Sequence, residues 1–213
     1  AKKNKCRIIH SCGFDSIPSD IGVLLLQTDS LRKFNRTCDE VNLYVRSIRG
    51  SFSGGTIESL INISNYTDLN PENKDILKSP FALDPRDSFK NDTRQSSLKS
   101  VKWNNDIQRW VCPFIMSGIN TRIVRRTNSI TNYSYGYDFR YSEVYSFNKG
   151  IRGFLKSIIM LVGLGLIQVS VKTKSLLWIL RKFKLPKPGE GPSKEKRENG
   201  FFKLNIIGSI NNT

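Results

Sequence analysis

The run His10-Ser11-Cys12-Gly13-Phe14-Asp15-Ser16-Ile17-Pro18-Ser19-Asp20-Ile21-Gly22 crowds carboxylates, hydroxyls and small residues between two apolar stretches. Asp15 and Asp20 can accept hydrogen bonds from the hydroxyls of a ribose or the N–H of an amide. With Ser16 and Ser19 they also suit the free N–H groups that open a helix, so a ligand contact and a plain helix cap both stand. Gly13 permits a positive φ and the close approach of a ligand to the backbone. His10 is the single imidazole of the chain, with an ordinary pKa near neutral. Ser53-Gly54-Gly55-Thr56 offers successive backbone N–H groups, a nest for phosphate or carboxylate and equally an ordinary capped turn. Arg122, Arg125 and Arg126 stand at i, i+3 and i+4 beside Asn120. They share a helix face and can grip phosphate or carboxylate through paired N–H bonds, or form a solvated charged face. Glu143 interrupts an apolar strand face, so it must pair or hold its proton above the usual carboxylate range. His10 and Glu143 are the two candidates for proton transfer.

Periodicity supplies the elements that must hold these groups. Residues 6–11 read as a short buried strand. Residues 18–33 read as a helix capped by Ser16 or Ser19, with Ile21 and Val23 to Leu26 on its buried side. Residues 40–49 alternate as a strand with Val41, Leu43 and Val45 on one face. A turn follows over 50–55, then a helical pattern over 56–66. Residues 67–105 are polar, hold Pro71, Pro80 and Pro85, and read as a long loop. A strand is expected over 108–113 and a helix over 119–130, with Ile119, Ile123 and Ile130 leaning away from the arginines. Tyr133, Tyr135, Tyr137, Phe139 and Tyr141 recur at every second position, which places five rings on one strand face together with Glu143. Residues 150–183 are helical in two segments, 185–193 form a Pro/Gly loop, and 201–210 a final strand.

The chain of 213 residues can bury one good core, or one domain and part of another. Its net charge of +16 favours nucleic acid, anionic lipid headgroups or a phosphorylated cofactor without choosing among them. The charges are dispersed and no RNA-binding signature accompanies the rings, which argues against a basic RNA-binding protein. Cys6, Cys12, Cys38 and Cys112 form no C-x-x-C pair; free thiols are expected rather than a zinc site or a disulfide framework. Residues 158–167 are wholly apolar, but the apolar run over 154–171 is shorter than the roughly 20 residues a spanning helix needs. Lys156, Lys172 and Lys174 flank it. The segment 154–184 therefore suits peripheral contact with an anionic membrane, or a helix buried on the sheet.

The opening run resembles the signature of the saccharopine dehydrogenase-like oxidoreductases, a family that includes the trans-acting enoyl reductases of glycolipid synthesis. Further matching pieces follow in the same order: Ser53-Gly54-Gly55-Thr56, Ser79-Pro80-Phe81-Ala82-Leu83, and Pro113-Phe114-Ile115-Met116-Ser117-Gly118-Ile119-Asn120-Thr121-Arg122-Ile123-Val124-Arg125-Arg126. Then come Tyr135-Gly136-Tyr137, Phe139-Arg140-Tyr141 and Lys187-Pro188-Gly189-Glu190-Gly191-Pro192-Ser193. The resemblance runs from residue 8 to about 202.

The resemblance implies an α/β protein. Residues 1–35 would be the tail of a Rossmann-type dinucleotide-binding domain. Residues 36–213 would be an α+β substrate or dimerisation domain, incomplete at its C-terminus, with a mixed sheet covered by helices. No G-x-G-x-x-G stands between a strand and a helix, so the chain is expected to be an internal fragment without the Gly-rich half. The implied activity is NAD(P)-dependent, enoyl-reductase-like hydride transfer on a lipid-like substrate, with NADPH the favoured cofactor in the intact protein and none bound by this fragment alone. Gly13, Asp15, Ser16 and Asp20 would lie near the cofactor. Ser53, Gly54, Gly55, Thr56, Asn120, Arg122 and Arg126 would lie near substrate or phosphate. The resemblance also implies association with membranes and lipid droplets. A homodimer and a non-catalytic, membrane-associated scaffold remain open alternatives.

Overall fold

The computed structural model of the chain describes residues 2–7, 12–13, 15–50, 54–55, 58–59, 61–62, 76, 78–85, 97–173 and 189–210. Its regular elements are α1 (Ile17–Phe34), β1 (Glu40–Arg49), β2 (Lys102–Asn104), β3 (Arg109–Pro113), α2 (Ser117–Ile130), β4 (Arg140–Phe147), α3 (Ile151–Lys172), α4 (Lys194–Glu198) and β5 (Phe201–Ser209). The strands form one sheet in the order β2-β3-β4-β1-β5. Only β1 and β4 run parallel, with Val41 beside Tyr141 and Leu43 beside Glu143; the other pairs are antiparallel. The expected mixed sheet with helices is present in an α/β fold. The expected strand at 8–11, most of the helix at 56–66 and the segment 174–188 lie outside the described residues.

The alternation of β1 sets the core. Val41, Leu43 and Val45 project to one face and join Val23 of α1, Val124 of α2, Cys38, Tyr135, Phe139 and Tyr141. Tyr44 projects to the other face and meets Val111 and Val144, with Leu98 and Ile107 packed against them. α1 rests on α2 and β5, where Gly22 lies under Ile206. α3 packs along β3 and β4, with Phe154 on Trp110 at 4.8 Å between ring centroids.

The structure corrects four expectations. α1 has nearly its expected length, and Val23 and Leu26 reach the core as expected, but the rest of its inward face is polar. Ser19, Val23, Gln27 and Ser30 face inward, while Ile21, Leu24 and Leu25 are exposed, Leu25 to 65%. The cause is polar: Gln27 Nε2 donates to the Cys38 carbonyl at 2.9 Å and its Oε1 accepts from the Cys38 N–H at 2.7 Å. Ser16 is the N-cap residue of α1 without acting as a cap, because its hydroxyl is used elsewhere. The aromatic run does not form one strand. Asn132, Tyr133 and Gly136 take positive φ, so Tyr133 to Tyr137 lie in turns and β4 starts only at Arg140. Finally, α2 buries Arg125 and exposes Ile119 and Ile130, the reverse of the expected orientation.

Part of the expected long loop is ordered as a hairpin. Asn104 Oδ1 accepts from the N–H groups of Asp106 and Ile107, and Gln108 takes a left-handed conformation. That turn joins β2 to β3 and brings Trp103 against Trp110 at 5.2 Å.

Candidate functional site

The first turn of α1, the first turn of α2 and the middle of β4 converge on Asn120, which is 1% exposed. Its Oδ1 accepts from the Ser16 hydroxyl at 2.9 Å. Its Nδ2 donates to Ser19 Oγ at 3.2 Å and to Glu143 Oε2 at 3.0 Å. The second carboxyl oxygen of Glu143 accepts from the Tyr141 hydroxyl at 2.6 Å. Glu143 and Tyr141 are two residues apart on one face of β4, so both reach the same helix crossing. Ser16, Asn120 and Glu143 thus belong to one buried network, which Ser19 and Tyr141 complete.

Burial pushes the Glu143 carboxyl up, against the hydrogen bonds from Tyr141, Ser19 and Asn120 that favour its charge. Burial and the neighbouring Glu143 push the Tyr141 hydroxyl well above its ordinary value. The pair therefore keeps a phenol proton beside a carboxyl that holds its own proton more tightly than usual. Neither group is open to solvent, Glu143 being 3% exposed. In this setting they position the residues in front of them.

One turn along α1, Asp20 Oδ2 accepts from Thr127 of α2 at 2.9 Å. Its Oδ1 is buried without a hydrogen bond, and so is the Tyr135 hydroxyl. Burial raises Asp20 against the Thr127 hydrogen bond. Burial, with Asp20 nearby, pushes Tyr135 up to about 12. Tyr135 thus stays protonated at neutral pH and can donate.

Two arginines of α2, Arg122 and Arg125, are engaged by backbone carbonyls. Arg122 Nε donates to the Ser79 carbonyl at 3.0 Å and Nη1 to that of Gly118. Arg125 donates to the carbonyls of Pro80 at 3.0 Å and Tyr141 at 3.2 Å, with its guanidinium 5.6 Å from the Phe81 ring centre. Burial lowers the Arg122 pKa. Arg126, one turn beyond Arg122, is exposed. The turn at 79–83 is held again by Asp84, whose carboxylate accepts from Ser129 at 2.6 Å and from Tyr133 at 3.4 Å.

The remaining expected residues are scattered. Gly13 and Asp15 are exposed. Gly13 is not among the positive-φ glycines; its carbonyl accepts from the Ser16 and Ile17 N–H groups at 3.2 and 3.1 Å. The Gly54 N–H donates to the Glu190 carbonyl at 2.9 Å, so a donor of the expected anion nest is spent within the chain. Gly55 is exposed. His10, Ser53 and Thr56 lie outside the described residues. Among the described residues, no three His, Cys, Asp or Glu side chains gather as metal ligands would. Ser19 and Tyr141 were identifiable only as a helix-start hydroxyl and as one ring of a stripe; the signal that joins them is Glu143, a carboxyl that burial obliges to find donors.

Titration of Glu143 has a defined sign. Its folded pKa lies above the ordinary 4.5. Between these values the native state holds a proton that the unfolded chain has released, so stability falls as pH rises through that window. Asp20 acts in the same direction. Urea unfolding across this range is expected to show declining stability in the parent and a shallower decline in Glu143→Gln, with the residue due to Asp20. An undiminished slope in the variant would contradict the burial argument.

The fold and the buried network define an α/β sheet domain in which two helix starts are locked onto one strand. Comparison with known proteins adds the following. The chain is 34% identical over 206 residues to a protein of Mycobacterium tuberculosis named provisionally as a trans-acting enoyl reductase; the match covers 93% of this chain and 49% of that protein. It is 30% identical over 209 residues to a trans-acting enoyl reductase of Mycobacterium ulcerans, covering 92% and 49%. A trans-acting enoyl reductase of Mycobacterium bovis is 29% identical over 208 residues, with the same coverage as the Mycobacterium ulcerans protein. The chain is thus homologous to proteins named for enoyl reduction, and it spans about half the length of the curated relatives it matches. No protein-family model matches it, and no solved structure does.

Proposed function

We propose that this chain forms part of an enoyl-reductase-like oxidoreductase of the saccharopine dehydrogenase-like group, moving a hydride from NADPH to a carbon–carbon double bond of a lipid-like substrate. The observation that carries the reading is the match over 93% of the chain to a protein named provisionally as a trans-acting enoyl reductase. A nicotinamide supplies hydride chemistry; the protein's part is to orient the reacting groups and exclude water.

The described residues do not build a cradle for the pyrophosphate of such a cofactor. The Gly54 N–H is taken by the Glu190 carbonyl. We place the cradle in the half of the relatives' length that this chain does not span. The exposed ridge of α1, formed by Ile17, Ile21, Leu24, Leu25 and Leu31, is the surface such a half would cover. The buried Ser16–Asn120–Glu143 network would hold the 12–16 elbow at that junction.

A fluorescence titration of the 213-residue chain with NADPH is expected to show no saturation at micromolar concentrations. The whole reading frame that encodes it is expected to bind NADPH and to oxidise it in the presence of an enoyl thioester. Absence of NADPH oxidation with enoyl thioesters of short and long chain would overturn the reductase reading. Micromolar binding by the 213 residues alone would overturn the placement of the cofactor site.

A further inference from the structure

α3 presents an apolar face to solvent. At about 100° per residue, Ile151, Leu155, Ile159, Val162, Leu166 and Val169 fall within an arc of about 80°. All six are exposed, Ile159 to 70%. They form a continuous apolar ridge roughly 27 Å long at 1.5 Å per residue. The side turned to the protein carries Gly153, the fully buried Ser157 and Phe154, which packs on Trp110. A ridge of this size turned to water is the mark of an interaction surface.

The charges beside it select the occupant. α3 contains Arg152, Lys156 and Lys172 and no acidic residue, in a chain of net charge +16. Arg152 and Lys156 are exposed and stand along one flank of the ridge, with Lys149 exposed just before the helix. A second copy laid on this ridge would oppose like charges along the seam, whereas an anionic headgroup layer complements them. At the same end an apolar cleft is lined by Trp103, Trp110, Gly150, Ile151 and Phe154. Indole rings with an apolar body and a polar N–H suit the headgroup level of a bilayer.

By length and composition Ile151–Ser170 is sufficient to cross a membrane. Its first turns are tied to the sheet through Phe154 on Trp110 and through Gly153, which leaves no room above the Asn148 carbonyl. Crossing would draw the polar edge of the sheet into hydrocarbon.

We propose that α3 lies in the plane of an anionic lipid surface, its outer ridge immersed and Lys149, Arg152 and Lys156 set against the headgroups. This inference is independent of the reductase reading. The test is flotation of the 213-residue chain with phosphatidylcholine vesicles and with vesicles of phosphatidylcholine mixed with phosphatidylglycerol. The chain is expected to float with the mixed vesicles, roughly tenfold more than with the neutral ones. Ile159→Glu combined with Leu166→Glu, both at exposed positions, is expected to lower flotation roughly tenfold or more. Arg152→Gln combined with Lys156→Gln is expected to remove most of the preference for anionic vesicles, with an unchanged circular dichroism spectrum. No flotation with the mixed vesicles would overturn the proposal, as would undiminished flotation of the double glutamate variant. Retention in the membrane pellet after alkaline carbonate extraction, or a parent dimer in sedimentation that the glutamate variant dissolves, would overturn it too.

Discussion

Asn120→Leu is expected to lower the unfolding free energy by about 3–5 kcal/mol, read as a fall in the urea midpoint at constant slope. The substitution keeps the branched heavy-atom skeleton, and the greater bulk of leucine at this buried position adds an overpacking cost to the polar one. What it removes is the one side chain that joins Ser16 of α1, Ser19 of α1 and Glu143 of β4. Each of these groups is buried and would lose a partner without gaining water. An unsatisfied buried polar group costs about 1–3 kcal/mol, and Glu143, already pushed toward its neutral form, would lose a donor that favours its charge. Ser16→Ala removes a single hydrogen bond of the set and is expected to cost about 1 kcal/mol. The order of the two variants is the test. A loss below about 1 kcal/mol in Asn120→Leu would show that the helix starts are held by apolar contacts alone.

Gly153→Ala is expected to destabilise the chain by about 1–3 kcal/mol, against the usual direction for a helix interior. Alanine ordinarily gains about 1 kcal/mol over glycine inside a helix. Here a Cβ at 153 would stand 1.7 Å from the Asn148 carbonyl oxygen and 2.7 Å from its carbon. Those atoms are backbone, in the turn that Gly150 makes with φ 84° as β4 passes into α3. Relief requires moving that turn, which also carries the Asn148 side chain that accepts from Arg109. Thermal unfolding of the parent and of the variant decides the sign. A gain in stability would mean that the turn is loosely attached to the helix.

The sequence announced what depends on near neighbours and concealed what depends on distant ones. β1 and β5 stand where the sequence pattern places them, and in β1 Val41, Leu43 and Val45 share one buried face. α1 has its expected extent, since length follows from local preference. Its orientation follows from Gln27 binding the backbone at Cys38, an obligation no hydropathy pattern records. The aromatic run imitated a strand until Gly136 and the left-handed residues before it turned the chain. β2 was lost in a polar stretch because three residues are too few to show a period. In the site, the need of Glu143 for partners was evident from its place on an apolar face. Asn120 and Tyr141 were in view only as separate motif members, and the crossing of α1 over α2 that unites them is a tertiary event. Arg122 and Arg125 looked like anion grips, yet they serve the carbonyls of Ser79 and Pro80, which had been assigned to a loop.

The pairing order carries a consequence for biosynthesis. β1 sits inside the sheet, yet it leaves the ribosome before either of its neighbours: Glu40 pairs with Arg140 on one side and with Ser209 on the other. Val41, Leu43 and Val45 must therefore wait, with both strand edges open, until almost all of these residues have been translated. Closing such long loops makes non-local strand pairing slow, and open edges invite pairing with other nascent chains. The interval between synthesis of the first strand and arrival of the last is the period in which this polypeptide most needs a chaperone.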